Sequence, residues 1–247
     1  MSQPQSRNWI LLRGLARGRG HWGSFVERMQ KKYPHDKIEL IDLPGNGERN
    51  DETSPASVKE FVEQIRSQSQ FVKQNQKFNI LSISLGGMIT VEWMRQFPHE
   101  VNKAFIMCTS SAGFSPPKDR FMLHNYLSAA FVIGKKDPKE KEDIVLRMTV
   151  NSDTRRAEEF PRLVEYSQQY PLKSKNLLKQ LFAASQYKFP KEAPGDITLL
   201  GSFGDKLVSP NCSVAIGKRW NLPVEMHPWS GHDLAIDDPN WVLERLL

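Results

Sequence analysis

Asn79-Ile-Leu-Ser-Ile-Ser84-Leu-Gly-Gly-Met88 runs as an apolar strand into a serine and turns at once into a helix. Phe78, Ile80, Leu81 and Ile83 read as a buried strand. Leu85, Met88, Val91, Trp93, Met94 and Phe97 then recur at helical spacing until Pro98 stops the run. A serine at such a junction projects from a tight turn, beside the free N–H groups of the first helical turn. The pattern is G-x-S-x-G with Ser82 in place of the first glycine. Ser-x-Gly also occurs at Ser111 and Ser202. Ser111 leads into Phe114-Ser-Pro-Pro117, a poor helix opening, and Ser202 lies in a glycine loop. Only Ser84 has a strand before it and a helix after it.

Two later segments supply the groups that would make such a serine reactive. Ile197-Thr-Leu-Leu-Gly-Ser-Phe-Gly-Asp205 is an apolar strand followed by a glycine loop that presents an acid. Val224-Glu-Met-His-Pro-Trp-Ser-Gly-His232 is a strand followed by a loop carrying a histidine. Each of Ser84, Asp205 and His232 falls just past a predicted strand. In an open parallel sheet those ends share one edge, where ligands bind. Taken singly, Asp205 is an ordinary turn residue and His232 an ordinary loop histidine. Their joint occurrence points to nucleophile, orienting acid and general base.

On these residues the chain resembles the alpha/beta-hydrolase family over nearly its whole length, including the order Ser, Asp, His. Trp9-Ile-Leu-Leu-Arg13-Gly14-Leu15 corresponds to the family's early strand, with Arg13 standing where His is usual. Asp42-Leu-Pro-Gly45 matches the turn after the next strand. The resemblance implies a carboxylesterase-like serine hydrolase with Ser84, Asp205 and His232 catalytic, with a thioesterase or a carrier-protein methyl esterase as the alternatives. It also implies oxyanion donors at the backbone N–H groups of Leu15 and Leu85, and no cofactor. Epoxide hydrolases and haloalkane dehalogenases of this fold carry a carboxylate at the position of Ser84.

Strands predicted at 8–13, 37–42, 78–83, 103–109, 197–202 and 223–228 alternate with helices near 20–32, 57–74, 85–97, 210–219 and 237–247. That alternation predicts an α/β fold, a mostly parallel sheet with helices on both faces. It fails between 113 and 190, where helices are expected at 119–133, 139–150, 155–169 and 173–187. The expected division is therefore a hydrolase core of 1–112 and 191–247 with an inserted helical cap, 113–190. Phe121, Met122, Tyr126 and Phe131 in the cap suit an acyl chain, or packing within the insertion.

The 247 residues carry 34 Lys+Arg against 28 Asp+Glu, a net charge of +6. Residues 113–190 hold 14 basic and 9 acidic residues, with Arg147, Arg155, Arg156 and Arg162 among them. That local excess of +5 is compatible with a solvated surface or with an acidic partner. The pimeloyl-carrier-protein methyl esterases share this plan, which makes an acidic acyl carrier protein a candidate partner beside a small ester. Cys108 and Cys212 do not make a disulfide framework, and Cys and His never occur at metal-ligand spacing. The polar start and the lack of a membrane-length apolar run lead to the expectation of a cytoplasmic protein without a membrane partner.

Two other function classes have some basis in the residues. Gly18-Arg-Gly20-His-Trp-Gly23 matches G-x-G-x-x-G, with Asp42 about 20 residues later, as in dinucleotide-binding proteins. However, Arg13 to Arg17 separate these glycines from the strand, whereas a pyrophosphate loop starts directly after it. Arg13, Arg17 and Arg19 could meet phosphates, but no nucleic-acid module or aromatic stacking platform accompanies them. A non-catalytic binding protein on the same fold leaves three matched reactive residues without a purpose.

Overall fold

A computed structural model describes residues 6–246, apart from the side chains of Tyr126, Ala129 and Ile133. The expected acyl contact at Tyr126 and the ends of the chain therefore lie outside the described residues. Six strands, β1 (Asn8–Leu12), β2 (Lys37–Ile41), β3 (Phe78–Ile83), β4 (Val101–Met107), β5 (Ile197–Ser202) and β6 (Val224–His227), form one sheet in the order β2-β1-β3-β4-β5-β6. All five pairings are parallel.

Helices α1 (Phe25–Lys32), α2 (Val58–Arg66), α3 (Gln70–Lys73) and α4 (Leu85–Gln96) precede a run of five, α5 (Pro117–Arg120), α6 (Asn125–Gly134), α7 (Pro138–Thr149), α8 (Asp153–Gln169) and α9 (Ser174–Gln186). That run lies between β4 and β5. Then come α10 (Pro210–Trp220), α11 (Leu234–Asp237) and α12 (Pro239–Glu244).

The pleat divides each strand between two cores. Ile10 and Leu12 face α2, α4 and α10, packing with Phe61, Ile89, Trp93 and Ile216. Trp9 and Leu11 face α1 and α12, packing with Phe25, Met29, Val242 and Leu243. The inner strands, covered on both faces, are mostly apolar, whereas the edge strands β2 and β6 are only partly buried and carry Lys37, Glu39 and Glu225. A third cluster of Leu146, Val150, Leu163 and Ile236 fastens α7 and α8 to the core through α11. Each fully buried Leu, Ile or Phe contributes roughly 1.5–3 kcal/mol.

Four predicted helices are broken, the one expected at 119–133 between the end of α5 at Arg120 and the start of α6 at Asn125. The segment near 20–32 is a 3-10 turn, Arg19–Trp22, then α1, because Gly23 turns to φ +55° between them. The segment 57–74 divides where Ser69 caps α3 by accepting from the N–H of Val72. The last helix divides at Asp238, which caps α12, with Pro239 in its first turn.

Chain connections leave β1 toward β2 on one side and, from β3, toward β4–β6 on the other. The carboxyl ends of β1 and β3 are therefore the switch point of the sheet, where open α/β folds leave a crevice.

Candidate active site

Ser84 sits at that point, between β3 and α4, with φ +56° and ψ −118°. A side chain rarely adopts this backbone conformation, and holding it costs on the order of 1–3 kcal/mol. The neighbouring loop enforces it. The Ser84 N–H donates to the Met107 carbonyl at 2.9 Å, and the Thr109 hydroxyl donates to the Ser84 carbonyl at 2.8 Å. The motif glycine that follows has a steric reason. A Cβ on Gly86 would lie 2.6 and 2.7 Å from the carbonyl oxygens of Leu12 and Arg13, so a larger residue would push α4 off β1. Ser82 is accommodated because its hydroxyl and that of Thr90 hydrogen-bond at 2.9 Å. The rival serines have structural duties: Ser111 accepts from the N–H of Phe189, and Ser202 donates to the Ser230 carbonyl.

Asp205 and His232 meet. The imidazole Nδ1 lies 2.8 Å from Asp205 Oδ2, and both residues are buried. Asp205 Oδ1 accepts the N–H groups of Leu207 and Val208, each at 2.9 Å, which fixes the carboxylate. With Nδ1 committed, Nε2 is the ring nitrogen left for proton exchange. His232 stands on the loop after β6 and Asp205 on the loop after β5, at the same sheet edge as Ser84.

Cys108, passed over as an unpaired cysteine, is beside them. It follows Met107 at the end of β4 with φ +46°. Its Sγ, an Asp205 oxygen and a His232 nitrogen all lie within 4.8 Å of one another. Burial, and then the Asp205 carboxylate, push the thiol well above its ordinary range, so it stays protonated. With a protonated thiol and a carboxylate already taken by two N–H groups and an imidazole, this trio is a poor donor set for a resident metal. Cys212 is likewise held up, to about 11, chiefly by burial. No sequence spacing could have revealed Cys108; only the β4–β5 pairing brings it here.

The loop after β1 closes the site. A Cβ on Gly14 would lie 2.9 Å from Ser84 Cβ and 3.5 Å from Ser84 Oγ, so this backbone touches the candidate nucleophile. The N–H groups of Leu15 and Leu85 donate to no protein acceptor among the described residues. The rest of the loop is tied to the helical insertion. Ala16, at φ +62°, donates its N–H to Gln180 Oε1 of α9 at 2.9 Å. Arg17 grips Glu142 of α7 through two bonds of 2.8 and 2.7 Å. Ser167 of α8 donates to Glu142, and its oxygen is 3.0 Å from His21 Nε2. Burial, then Arg17 and Arg13, hold His21 well below the usual imidazole range. The ring is therefore neutral, and its Nδ1 accepts the N–H of Gly18 at 3.0 Å. Asn151 makes the complementary tie on the other side. Its amide donates to the carbonyls of Gly204 and Trp229, one from the acid loop and one from the histidine loop.

The Gly18–Gly23 stretch is accounted for by packing. A Cβ on Gly20 would fall 2.3 Å from the Tyr166 ring, and one on Gly23 would fall 2.4 Å from a Glu159 oxygen. The N–H that a phosphate would need at Arg19 donates instead to Asp42 at 2.5 Å. Asp42 also takes the N–H of Glu48, so it is committed to the turn. Four arginines of the insertion are ion-paired too: Arg147 with Asp143, Arg155 with Glu158, Arg156 with Asp153 and Arg162 with Glu27. A cleft of about 350 Å³ opens beside Lys206, lined by Phe131, Ile144 and Met148 with His124 and Arg147. Among the described residues no helix is long and apolar enough to cross a membrane.

No protein-family model and no curated protein sequence matches the chain. Solved structures do. A thermophilic esterase from Thermogutta terrifontis, with malate bound, is similar at 13% identity and a TM-score of 0.71, covering 98% of this chain and 88% of its own. A hydrolase from Oleispira antarctica is similar at 14% identity and 0.73, covering 98% and 90%. A lipase-esterase related protein from Clostridium acetobutylicum is similar at 15% identity and 0.70, covering 98% and 94%. With its parallel sheet, its serine at a strand–helix turn and these neighbours, the chain has the alpha/beta-hydrolase fold.

Proposed function

We propose that this protein is a serine hydrolase that cleaves carboxylic esters through an acyl-enzyme. The observation that carries the reading is the buried 2.8 Å contact of His232 with Asp205, at the sheet edge that also holds the strained Ser84. A serine hydroxyl is a weak nucleophile at neutral pH. His232 Nε2 takes its proton as Ser84 Oγ attacks the ester carbonyl, while Asp205 keeps the ring oriented and stabilises the imidazolium. The N–H groups of Leu15 and Leu85 receive the oxyanion, each such donor being worth about 2.7–4 kcal/mol of barrier. His232 then protonates the leaving alcohol, and water repeats the attack on the acyl group. The similar solved structures named as esterases and hydrolases support the class of reaction.

The helices between β4 and β5 act in this reading as a cap over the site. The cleft beside Lys206 has neither Ser84 nor His232 in its lining, so the acyl preference is left to the chain-length series below. An ester on an acidic carrier protein is the alternative substrate, favoured by the +5 excess of residues 113–190 and weakened by the ion pairs their arginines already make.

The test is labelling by a fluorophosphonate together with hydrolysis of a chain-length series of p-nitrophenyl esters and thioesters. Ser84→Ala is expected to abolish both labelling and turnover. Labelling that persists in Ser84→Ala would assign the nucleophile elsewhere. Turnover of a carrier-protein ester that is insensitive to salt would remove the carrier-protein alternative.

A further inference from the structure

Arg13 directly follows β1, and the structure gives it a partner. Its guanidinium donates Nη1 to Asp233 Oδ1 at 3.1 Å and Nη2 to Asp233 Oδ2 at 2.5 Å. Arg13 is 3% exposed and Asp233 2%. The guanidinium carbon lies 4.9 Å from the centroid of the Trp22 ring. Asp233 follows His232 directly, and Arg13 precedes Gly14, whose backbone rests on Ser84.

A buried ion pair is weak evidence for stability, because both charges give up their hydration. A histidine or an apolar residue could fill the same space without two charges. What the pair does provide is direction. The two-pronged arginine–carboxylate contact admits one planar arrangement. The Asp233 N–H is held as well, donating to the Thr149 carbonyl at 2.8 Å. Main chain and side chain of residue 233 are thus both fixed, immediately beside the imidazole.

We propose that Arg13 is a positioning residue that, through Asp233, orients His232 and shields it from a second negative charge. This rests on the Ser84–His232–Asp205 reading. Asp205 is the carboxylate that His232 needs. Asp233, one residue away, would be a second carboxylate favouring imidazolium, and Arg13 cancels it.

Other charged and titratable groups around this point have hydrogen-bond or ion-pair partners of their own or are neutral. Cys108 is a protonated thiol and His21 a neutral ring. Arg17 is paired with Glu142, and its charge also reaches Asp233. Asp237 of α11 is engaged by the N–H groups of Asn151, Ser152 and Gly231. The Arg13–Asp233 pair, one residue from the imidazole, is the balance that the variants alter.

The experiment compares Arg13→Met, Asp233→Asn, their double variant and Arg13→Lys. Two readouts are taken: the acid limb of kcat/KM, and the His232 ring resonance through a pH titration, assigned by its loss in His232→Gln. Arg13→Met removes the cation paired with Asp233, so both midpoints move to higher pH; Asp233→Asn removes the anion paired with Arg13, so both move lower. Each displacement is expected to be about one pH unit. The double variant returns to the wild-type midpoint with kcat lowered about tenfold, because the orienting contact is gone while the charges balance. Arg13→Lys keeps the midpoint and loses kcat, since it retains charge without the fork.

Displacements in the same direction, or none in folded variants, overturn the proposal. So does a double variant with wild-type rate and profile when both single variants fail to fold, because the pair then serves folding alone. The ring titration is read on the resting protein. Absent ester hydrolysis and absent Ser84 labelling in the wild type therefore count against the hydrolase reading, separately from the Arg13 effect.

Discussion

Arg17, in the loop after β1, and Glu142, on α7, are 125 residues apart and join in a two-pronged ion pair at 2.8 and 2.7 Å, with Glu142 almost fully buried. The loop that carries the candidate oxyanion donor Leu15 is thereby built partly on the helical insertion. Removing one partner leaves the other as an uncompensated buried charge. Glu142→Ala is expected to lower unfolding stability in urea by about 3–5 kcal/mol. The paired change Arg17→Met with Glu142→Leu should recover most of that loss. A Glu142→Ala cost below about 1 kcal/mol, the range of exposed ion pairs, would show that the contact is solvent-screened.

The backbone of Ser84 invites a test in which function and stability part company. Glycine tolerates positive φ without a Cβ penalty, whereas alanine inherits the strain. Ser84→Gly should therefore unfold at higher temperature than Ser84→Ala by about 1–3 kcal/mol of stability, with neither variant turning over esters. Equal melting temperatures for the two variants would mean that the turn is relaxed.

Cys108 and Cys212 are both buried and free, and both thiols are held protonated. The thiolate is the reactive form. An aromatic disulfide reagent at pH 8 should leave both unmodified in the native protein and react with both once guanidinium is added. Rapid modification of Cys108 in the folded state would place it on an accessible wall.

His21 makes stability depend on pH in a defined sense. Its folded ring titrates well below 6.5, so the unfolded chain binds the proton more readily. The contribution of the neutral ring is fully present above pH 6.5 and declines as pH falls below it. His21→Gln should be less stable at pH 8, and its deficit against wild type should narrow between pH 6.5 and 5. A deficit that stays constant over that range would show that the ring does not titrate between folded and unfolded states.

Local pattern carried much of this architecture. The run from Phe78 to Ile83 could only be a strand, because its apolar residues are continuous and short, and Leu85 to Phe97 repeats at the helical period. Ser84, Asp205 and His232 could be singled out because each follows such a strand, and parallel strands end at one edge. The helix interruptions at Gly23, Ser69 and Asp238, and the one between Arg120 and Asn125, are not legible there, since caps and turns weigh less in a sequence than apolar spacing does. The glycines of Gly18–Gly23 were legible as a motif and misleading as chemistry; the ring of Tyr166 that requires them comes from 146 residues away in the case of Gly20.

By itself, then, the order of residues determined the parallel sheet, the helical insertion and the three candidate reactive positions, because hydrophobic period and turn chemistry are local properties. Tertiary structure alone decided that Arg13 answers Asp233, that Arg17 answers Glu142 and that Cys108 stands beside the acid. Those are contacts between buried polar groups, and burial makes each charge depend on whichever partner the fold brings within hydrogen-bonding reach.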